Sequence, residues 1–363
     1  MMLQALQLFL VVTVYAGDEV RLPGTWGVSG RISYGFLIAH REALMPLQEA
    51  HLGSAEFSLF RLPDGKNPWE QQFRLPEKGV QLEVIRPGTQ KLGTAVALYP
   101  FVDFPLAGCK DRSWWFRYGL GIGYVTNTFD PVDNYKNAAV GSHLNGVLHL
   151  DVQYRGRLGP RSGWEAGIGL THFSNGSVKM PNLGVNFPKV NIGYRKFIGE
   201  ERTADCSGSS PSPHDRYWQV YIAGAVKETY PALGPKYAAG TFNVQHVFPG
   251  AGRSRFGLGA DFFYDGSVSV RYERLNGVRK SSSDFRPGIY GSWSMPIGDL
   301  AIGFNLGYYP YSLYKEDGAV YHRVTLQYHF KRLFLCTNLK THYARADFIE
   351  WGVGWRLQKR KAS

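Results

Sequence analysis

The sequence predicts an all-β chain that crosses a membrane as a closed antiparallel barrel, and three observations carry that expectation. Segments of roughly ten residues with period-two alternation recur almost to the C-terminus. One face of each segment is apolar and aromatic, while the other is charged, amide or glycine. That is how a strand reads when lipid lies on one side and a polar lumen on the other. Aromatic side chains also gather near segment ends (Trp114 and Tyr124, Trp351 and Trp355), as the girdles of outer-membrane barrels do. A β-sandwich alternates as well, but it has less need of the 15% aromatic content found over these 363 residues. Beyond the N-terminus no run of about 20 apolar residues offers a spanning helix. A closed barrel is the other structure that satisfies its own backbone in lipid.

The elements follow in order. Residues 3–16, LQALQLFLVVTVYA, form a short apolar run ending in Val14-Tyr15-Ala16. The run is too short to span and its end suits signal peptidase, so residues 1–16 read as a secretory signal peptide, although no Lys or Arg precedes it. Residues 17–363 then read as a single barrel domain. Upward strands are expected near 27–40, 79–87, 113–126, 163–174, 216–229, 254–264, 300–311 and 333–342. Downward strands are expected near 53–62, 92–104, 144–157, 188–199, 237–247, 287–296, 319–330 and 348–358. Within them Trp114, Phe116, Tyr118, Leu120 and Ile122 oppose Arg117, Gly119, Gly121 and Gly123. Likewise Ile349, Trp351, Val353 and Trp355 oppose Glu350, Gly352, Gly354 and Arg356. Tight turns at 159–162, 249–252, 296–299 and 331–332 fall on the periplasmic side. The longer stretches 127–143, 175–187 and 265–286 fall outside, the usual asymmetry. Both ends land in the periplasm, so the strand number is even. The first four strands and the stretch 63–77 are weakly patterned, which leaves an expected count of about 12 to 16, with about 14 as the middle value.

Charge and cysteines narrow the function. The formal net charge of +12 suits an anionic partner, or equally a wet lumen lined by Arg and Lys. No RRM, helix-turn-helix or basic helical block points to nucleic acid. Cys109, Cys206 and Cys336 show no CxxC spacing, so neither zinc nor a disulfide framework is indicated. In the strand trace Cys109 and Cys206 both sit in periplasmic connections, where they could pair.

The chemistry concentrates in 163–187, GWEAGIGLTHFSNGSVKMPNLGVNF. Trp164, Ala166, Ile168, Leu170, His172 and Ser174 share one face, and Glu165, Gly167, Gly169, Thr171 and Phe173 the other. In a soluble protein a His/Ser pair on an apolar face is a satisfied core pair. On a lipid-facing wall a polar pair is costly unless it is used. The imidazole can take the serine proton and return it to a leaving group, which is the serine–base logic of acyl transfer. Glycines 119, 121 and 123 resemble a phosphate loop only on paper, and alternating with lipid-facing aromatics they relieve crowding inside the barrel.

These residues resemble a family, the outer-membrane lipid A 3-O-deacylases, in the pattern His-aromatic-Ser-Asn followed by Pro-Asn-x-Gly. Here it reads His172-Phe173-Ser174-Asn175, then Pro181-Asn182-Leu183-Gly184. The upstream KNAAVGSHLN of residues 136–145 is similar to larger members described as acyloxyacyl hydrolases. The resemblance covers residues 92–199 and is diffuse elsewhere. It implies a serine esterase acting on an ester-linked acyl chain of lipid A (lipopolysaccharide), within the bilayer of the bacterial outer membrane. Ser174 would be the nucleophile and His172 the general base. The family's acidic third member falls on Asn186, a departure, because an amide cannot supply charge to the imidazolium. Asn182 would stabilise the oxyanion, assisted near Asn175 and Gly176, and His143 and Asn145 could line the site. The resemblance implies no metal and no cofactor. The smallest members have eight strands and end soon after the motif, so this longer chain is expected to form a wider barrel.

Three rivals stay open on sequence grounds. An outer-membrane phospholipase would release fatty acid from glycerophospholipid and need calcium. A porin or structural barrel would conduct ions or hold shape, and an adhesin or receptor would use the loops 127–143 and 265–286.

Overall fold

The computed structural model describes residues 19–109, 112–205, 215–250, 253–343 and 345–357. The signal segment 1–16, and whether Cys109 and Cys206 pair, lie outside the described residues and side chains, although the backbone of Cys109 ends a strand. Among the described residues no helix is long and apolar enough to cross a membrane.

Strand β1 (Glu19–Leu22) opens the described chain. Eight strands follow: β2 (Trp26–Gly35), β3 (Leu52–Arg61), β4 (Glu77–Arg86), β5 (Ala95–Cys109), β6 (Arg112–Val125), β7 (Leu144–Gly159), β8 (Ser162–Ser174) and β9 (Val185–Ile198). They pair in sequence order, and β9 returns to β2 through a ladder from Trp26↔Ile198 to Gly35↔Lys189, which closes a barrel. Strand β10 (Arg202–Asp205) pairs antiparallel with β1. A second set follows: β11 (Tyr217–Glu228), β12 (Lys236–Pro249), β13 (Arg255–Asp265), β14 (Phe285–Ile297), β15 (Leu300–Tyr308), β16 (Val320–Phe330), β17 (Leu333–His342) and β18 (Arg345–Leu357). It closes between β11 and β18, from Trp218↔Leu357 to Gly224↔Trp351.

The expectation of one wide barrel of about 14 strands is corrected here. The sixteen expected segments correspond to the sixteen strands of β2–β9 and β11–β18, but these close as two rings of eight. Period-two alternation records which face a side chain takes. It does not record which distant strand completes the ring. A ring of eight is just wide enough for side chains to fill it, and both lumens are filled. In the first, Arg117 grips Asp103 at 2.7 and 2.8 Å, Arg31 meets Asp151 at 2.6 Å, and Lys189 meets Glu56 at 2.8 Å. In the second, Arg323 meets Asp261 at 3.0 Å and Lys340 meets Asp347 at 2.6 Å. Much of the positive charge is thus spent inside, paired with buried acids.

Glycines on the inner face make room for this filling. A Cβ on Gly121 would lie 2.6 Å from the Cβ of Tyr99, and one on Gly123 would lie 2.4 Å from the ring of Phe173. Outward positions hold Ile32, Ile122, Ile168, Ile192, Trp218, Ile222 and Trp351, all exposed. In water such surface would mark a binding face; on a barrel of this type it is the lipid wall.

In the first ring the short connection 160–161 lies at the same end as the 62–76 connection with helix α1 (Pro68–Gln72), and in the second ring the short connections 298–299 and 331–332 share one end. Longer loops lie at the other end of each ring, in the second ring including 266–284 with helix α2 (Ser267–Asn276). The weakly patterned stretch after β3 is therefore a connector over residues 62–76, and Glu77 already begins β4. Packing divides the chain into two compact units. The first holds the described residues to 127 with 146–173 and 185–205, and the second holds 128–145, 174–184 and 215–357.

Candidate active site

The long-loop end of β8 carries His172 and Ser174, the residues that the sequence marks as a candidate site. The β8–β9 ladder sets His172 opposite Asn186 and Phe173 opposite Val185. Inward, Phe173 and Phe187 are buried and meet edge to face at 5.9 Å between centroids. This apolar plug fixes the register, so His172 and Asn186 both point to the outer wall.

His172 Nδ1 lies 2.8 Å from Asn186 Oδ1. An amide oxygen accepts only, so Nδ1 donates and Nε2 keeps the ring's lone pair. Asn186 Nδ2 lies 3.1 Å from His40 Nδ1. His40 reaches this point because the β2 edge continues along β9 past Gly35. The N–H of Phe36 donates to the Pro188 carbonyl at 3.2 Å and that of Ile38 to the Asn186 carbonyl at 3.1 Å.

Ser174, two residues beyond His172 on the same face, ends β8. Its Oγ donates to Asn182 Oδ1 at 3.2 Å and accepts from Asn182 Nδ2 at 3.1 Å and from the Gly176 N–H at 3.3 Å. The Asn175 N–H donates to Asn182 Oδ1 at 3.0 Å. The turn leaving β8 requires positive φ at Gly176 (61°) and Ser177 (66°). At Gly176 an added Cβ would also strike Ile349 at 2.4 Å, so glycine is needed twice over.

The Asn175 side chain serves the loop. Its Nδ2 donates to Ser142 Oγ at 2.8 Å and to the Lys179 carbonyl at 2.9 Å. Asn145 is buried and its Nδ2 donates to the carbonyls of Ser142 and His143, at 2.9 and 3.1 Å. Asn145 thus shapes the entry to β7, one residue removed from Asn175 through Ser142. The His143 side chain is exposed. Glu228 accepts from the Met180 N–H at 3.3 Å, and its own N–H donates to the Ser177 carbonyl at 2.8 Å. The 175–184 loop is therefore tied at both of its shoulders.

The structure brings His172 together with Asn186, and Ser174 together with Asn182 and Gly176. Asn175, Asn145 and Ser142 form the support behind them. Sequence reasoning passed over Ser142 and His40. The parity of His40 with Ile32, Tyr34, Phe36 and Ile38 marked it as outward, but only closure of the ring at eight strands sets it beside β9. Among the described residues no three His, Cys, Asp or Glu side chains are grouped to hold a metal ion.

Fold and wall define an outer-membrane β-barrel protein, and sequence comparison gives its family. The profile described as lipid A 3-O-deacylase (PagL) matches residues 59–195, within the first ring. The profile described as acyloxyacyl hydrolase, C-terminal domain, matches residues 216–359, which contain the second ring. The chain belongs to the PagL family of lipid A 3-O-deacylases, outer-membrane enzymes that deacylate lipid A by ester hydrolysis. No curated protein sequence matches it. Similar solved structures include Neisserial surface protein A, at 10% identity and TM-score 0.35, covering 49% of this chain and 99% of that one. The outer membrane enzyme PagL is 16% identical with TM-score 0.33, over 47% of this chain and 99% of that one. A mutant Rh. blastica porin is 7% identical with TM-score 0.18, over 92% and 99%.

Proposed function

We propose that this chain is a serine esterase that removes an ester-linked acyl chain from lipid A at the outer wall of its first barrel. The observation that carries this reading is the 2.8 Å bond from His172 Nδ1 to Asn186 Oδ1. It leaves the Nε2 lone pair as the base, on the strand face shared with Ser174. Same-face neighbours on a strand stand about 7 Å apart at Cα, within reach of leaning side chains.

The Ser174 Oγ attacks the ester carbonyl while its proton passes to His172 Nε2. The new Oγ–C bond places negative charge on the carbonyl oxygen. Asn182 Nδ2 and the Gly176 N–H, both already directed at Ser174 Oγ, are the donors suited to that oxygen. Collapse breaks the bond to the sugar-side oxygen, which takes the proton from His172. Water, deprotonated by the same nitrogen, then releases the fatty acid and restores the serine. Asn186 holds the tautomer without lending charge, so turnover is slow beside an enzyme with a carboxylate there. The acyl chain lies along the apolar wall near Leu170 and Ile168, where lipid already resides. Residues 1–16 fit this reading as the signal for export.

The lumens favour this reading over a pore, since a ring filled by paired charges is not built as a channel. The test is fatty-acid release by the detergent-solubilised chain, its Ser174→Ala form and its His172→Ala form. Release from lipopolysaccharide by the unmodified chain alone supports the esterase. Release from glycerophospholipid, and none from lipopolysaccharide, would move the substrate to phospholipid.

A further inference from the structure

We propose that His40 is a positioning residue that fixes which end of the Asn186 amide faces His172, making an asparagine serviceable where the family has an acid. The proposal rests on the esterase reading of Ser174 and His172.

A carboxylate presents an oxygen whichever way it turns. A carboxamide does not. With Oδ1 toward His172, as here, the ring proton sits on Nδ1 and Nε2 is basic. Turned over, the Nδ2 group would donate to Nδ1, the proton would move to Nε2, and the base would face away from Ser174. An asparagine at this position therefore needs something that distinguishes its two ends.

His40 supplies that distinction. Asn186 Nδ2 has only hydrogens to offer, so the atom 3.1 Å away, His40 Nδ1, serves as acceptor. The acceptor is held in place. The Ile38–Asn186 bridge ties the strand edge that leads to His40 to the asparagine's own carbonyl. On the inner side Leu37 is buried, and its carbonyl accepts from Gln48 Nε2 at 2.7 Å. The following 3-10 turn, Glu42–Leu47, buries Leu44 and Leu47. His40, Asn186 and His172 thus stand in a row on the outer faces of three adjacent strand lines, in the order β2, β9, β8. Closure of the first ring at eight strands creates this row, because a wider ring would separate β2 from β9.

The test compares His40→Ala with the unmodified residue in two backgrounds, native and Asn186→Glu, in the full chain acting on lipopolysaccharide. A carboxylate has no wrong face, so the expected loss in kcat is about ten-fold or more in the native background and less than about two-fold in the Asn186→Glu background, with KM unchanged in both. His40→Gln, which keeps an acceptor, recovers part of the native-background loss. Equal losses in both backgrounds, or no loss in either, overturn the proposal. A second readout does not depend on turnover: the nitrogen-15 shifts of His172 report its tautomer. Nδ1–H in the native chain and a mixture in His40→Ala is expected, and an unchanged Nδ1–H signal overturns the proposal even if Ser174→Ala shows the esterase to be real. Should neither lipopolysaccharide nor phospholipid be cleaved, the esterase reading fails, while the tautomer measurement still decides what His40 does.

Discussion

His172 and Asn186 face each other across the β8–β9 ladder, with imidazole Nδ1 and amide Oδ1 2.8 Å apart. The pairing sets the tautomer, but in the proposed mechanism the imidazolium formed during attack would gain no counter-charge from an amide. Asn186→Glu should therefore raise kcat for acyl release at least about ten-fold, and Asn186→Ala should lower it. Steady-state kinetics on lipopolysaccharide micelles check both. A fall in activity for Asn186→Glu would mean that the amide donor, and not its oxygen, is what the site uses.

Two rings of eight make a direct topological prediction. Ile32 pairs with Ile192 across the β2–β9 seam, and Ile222 with Val353 across the β11–β18 seam. In a chain with Cys109, Cys206 and Cys336 replaced, cysteines introduced at either pair should cross-link on oxidation of the folded, membrane-inserted protein. A single wide ring would leave both pairs uncoupled.

The lumen of the first ring depends on matched charges. Arg117 holds Asp103 through two bonds with both side chains buried. Arg117→Ala should destabilise the barrel by about 3–5 kcal/mol, because it strands part of a buried carboxylate's pairing. Replacing both residues with apolar ones of similar volume should cost much less. Urea midpoints from the mobility of folded and unfolded bands measure the difference.

On the outer wall, Ile168 is 69% exposed near the middle of β8. Ile168→Arg should cost about 2–4 kcal/mol in lipid, whereas Ile168→Leu should be silent. Folding yield into vesicles reads this out.

The loop carrying α2 is pinned by Asp317, which accepts from Arg271 at 2.8 Å and from Arg286 at 2.8 Å. Burial pushes the Asp317 carboxyl up, but Arg271 and Arg286 outweigh it and hold the carboxyl well below the usual carboxylate range. A depressed folded value means that the stabilisation is complete above the unfolded carboxyl's range, near about 4, and fades as pH falls below it. Hydrogen exchange over 266–284 should accelerate below about pH 4, and Asp317→Asn should show that fast exchange already at neutral pH.

Much of this was legible from alternation alone. Inward Arg117, Asp151 and Glu165, and outward Trp114, Ile168 and Trp351, fall on the faces that period two dictates. The pairing of His172 with Asn186 follows from parity and the intervening loop. What alternation could not convey is non-local. Trp26 pairs with Ile198, and no pattern at either end announces its partner. His40 beside Asn186 is a consequence of that closure and was hidden with it. The β1–β10 pair was missed because four residues are too few to display a period. Asn175 and Asn145 read as turn formers or site residues alike, since only their actual partners, Ser142 and the neighbouring carbonyls, separate the two roles.

The most direct test of the central claim is mass spectrometry of lipid A from outer membranes carrying this chain or its Ser174→Ala form at equal, correctly inserted levels. The account predicts loss of one acyl chain's mass with the unmodified protein and an intact lipid A with Ser174→Ala. Unchanged lipid A in both, or the same loss in both, would contradict it.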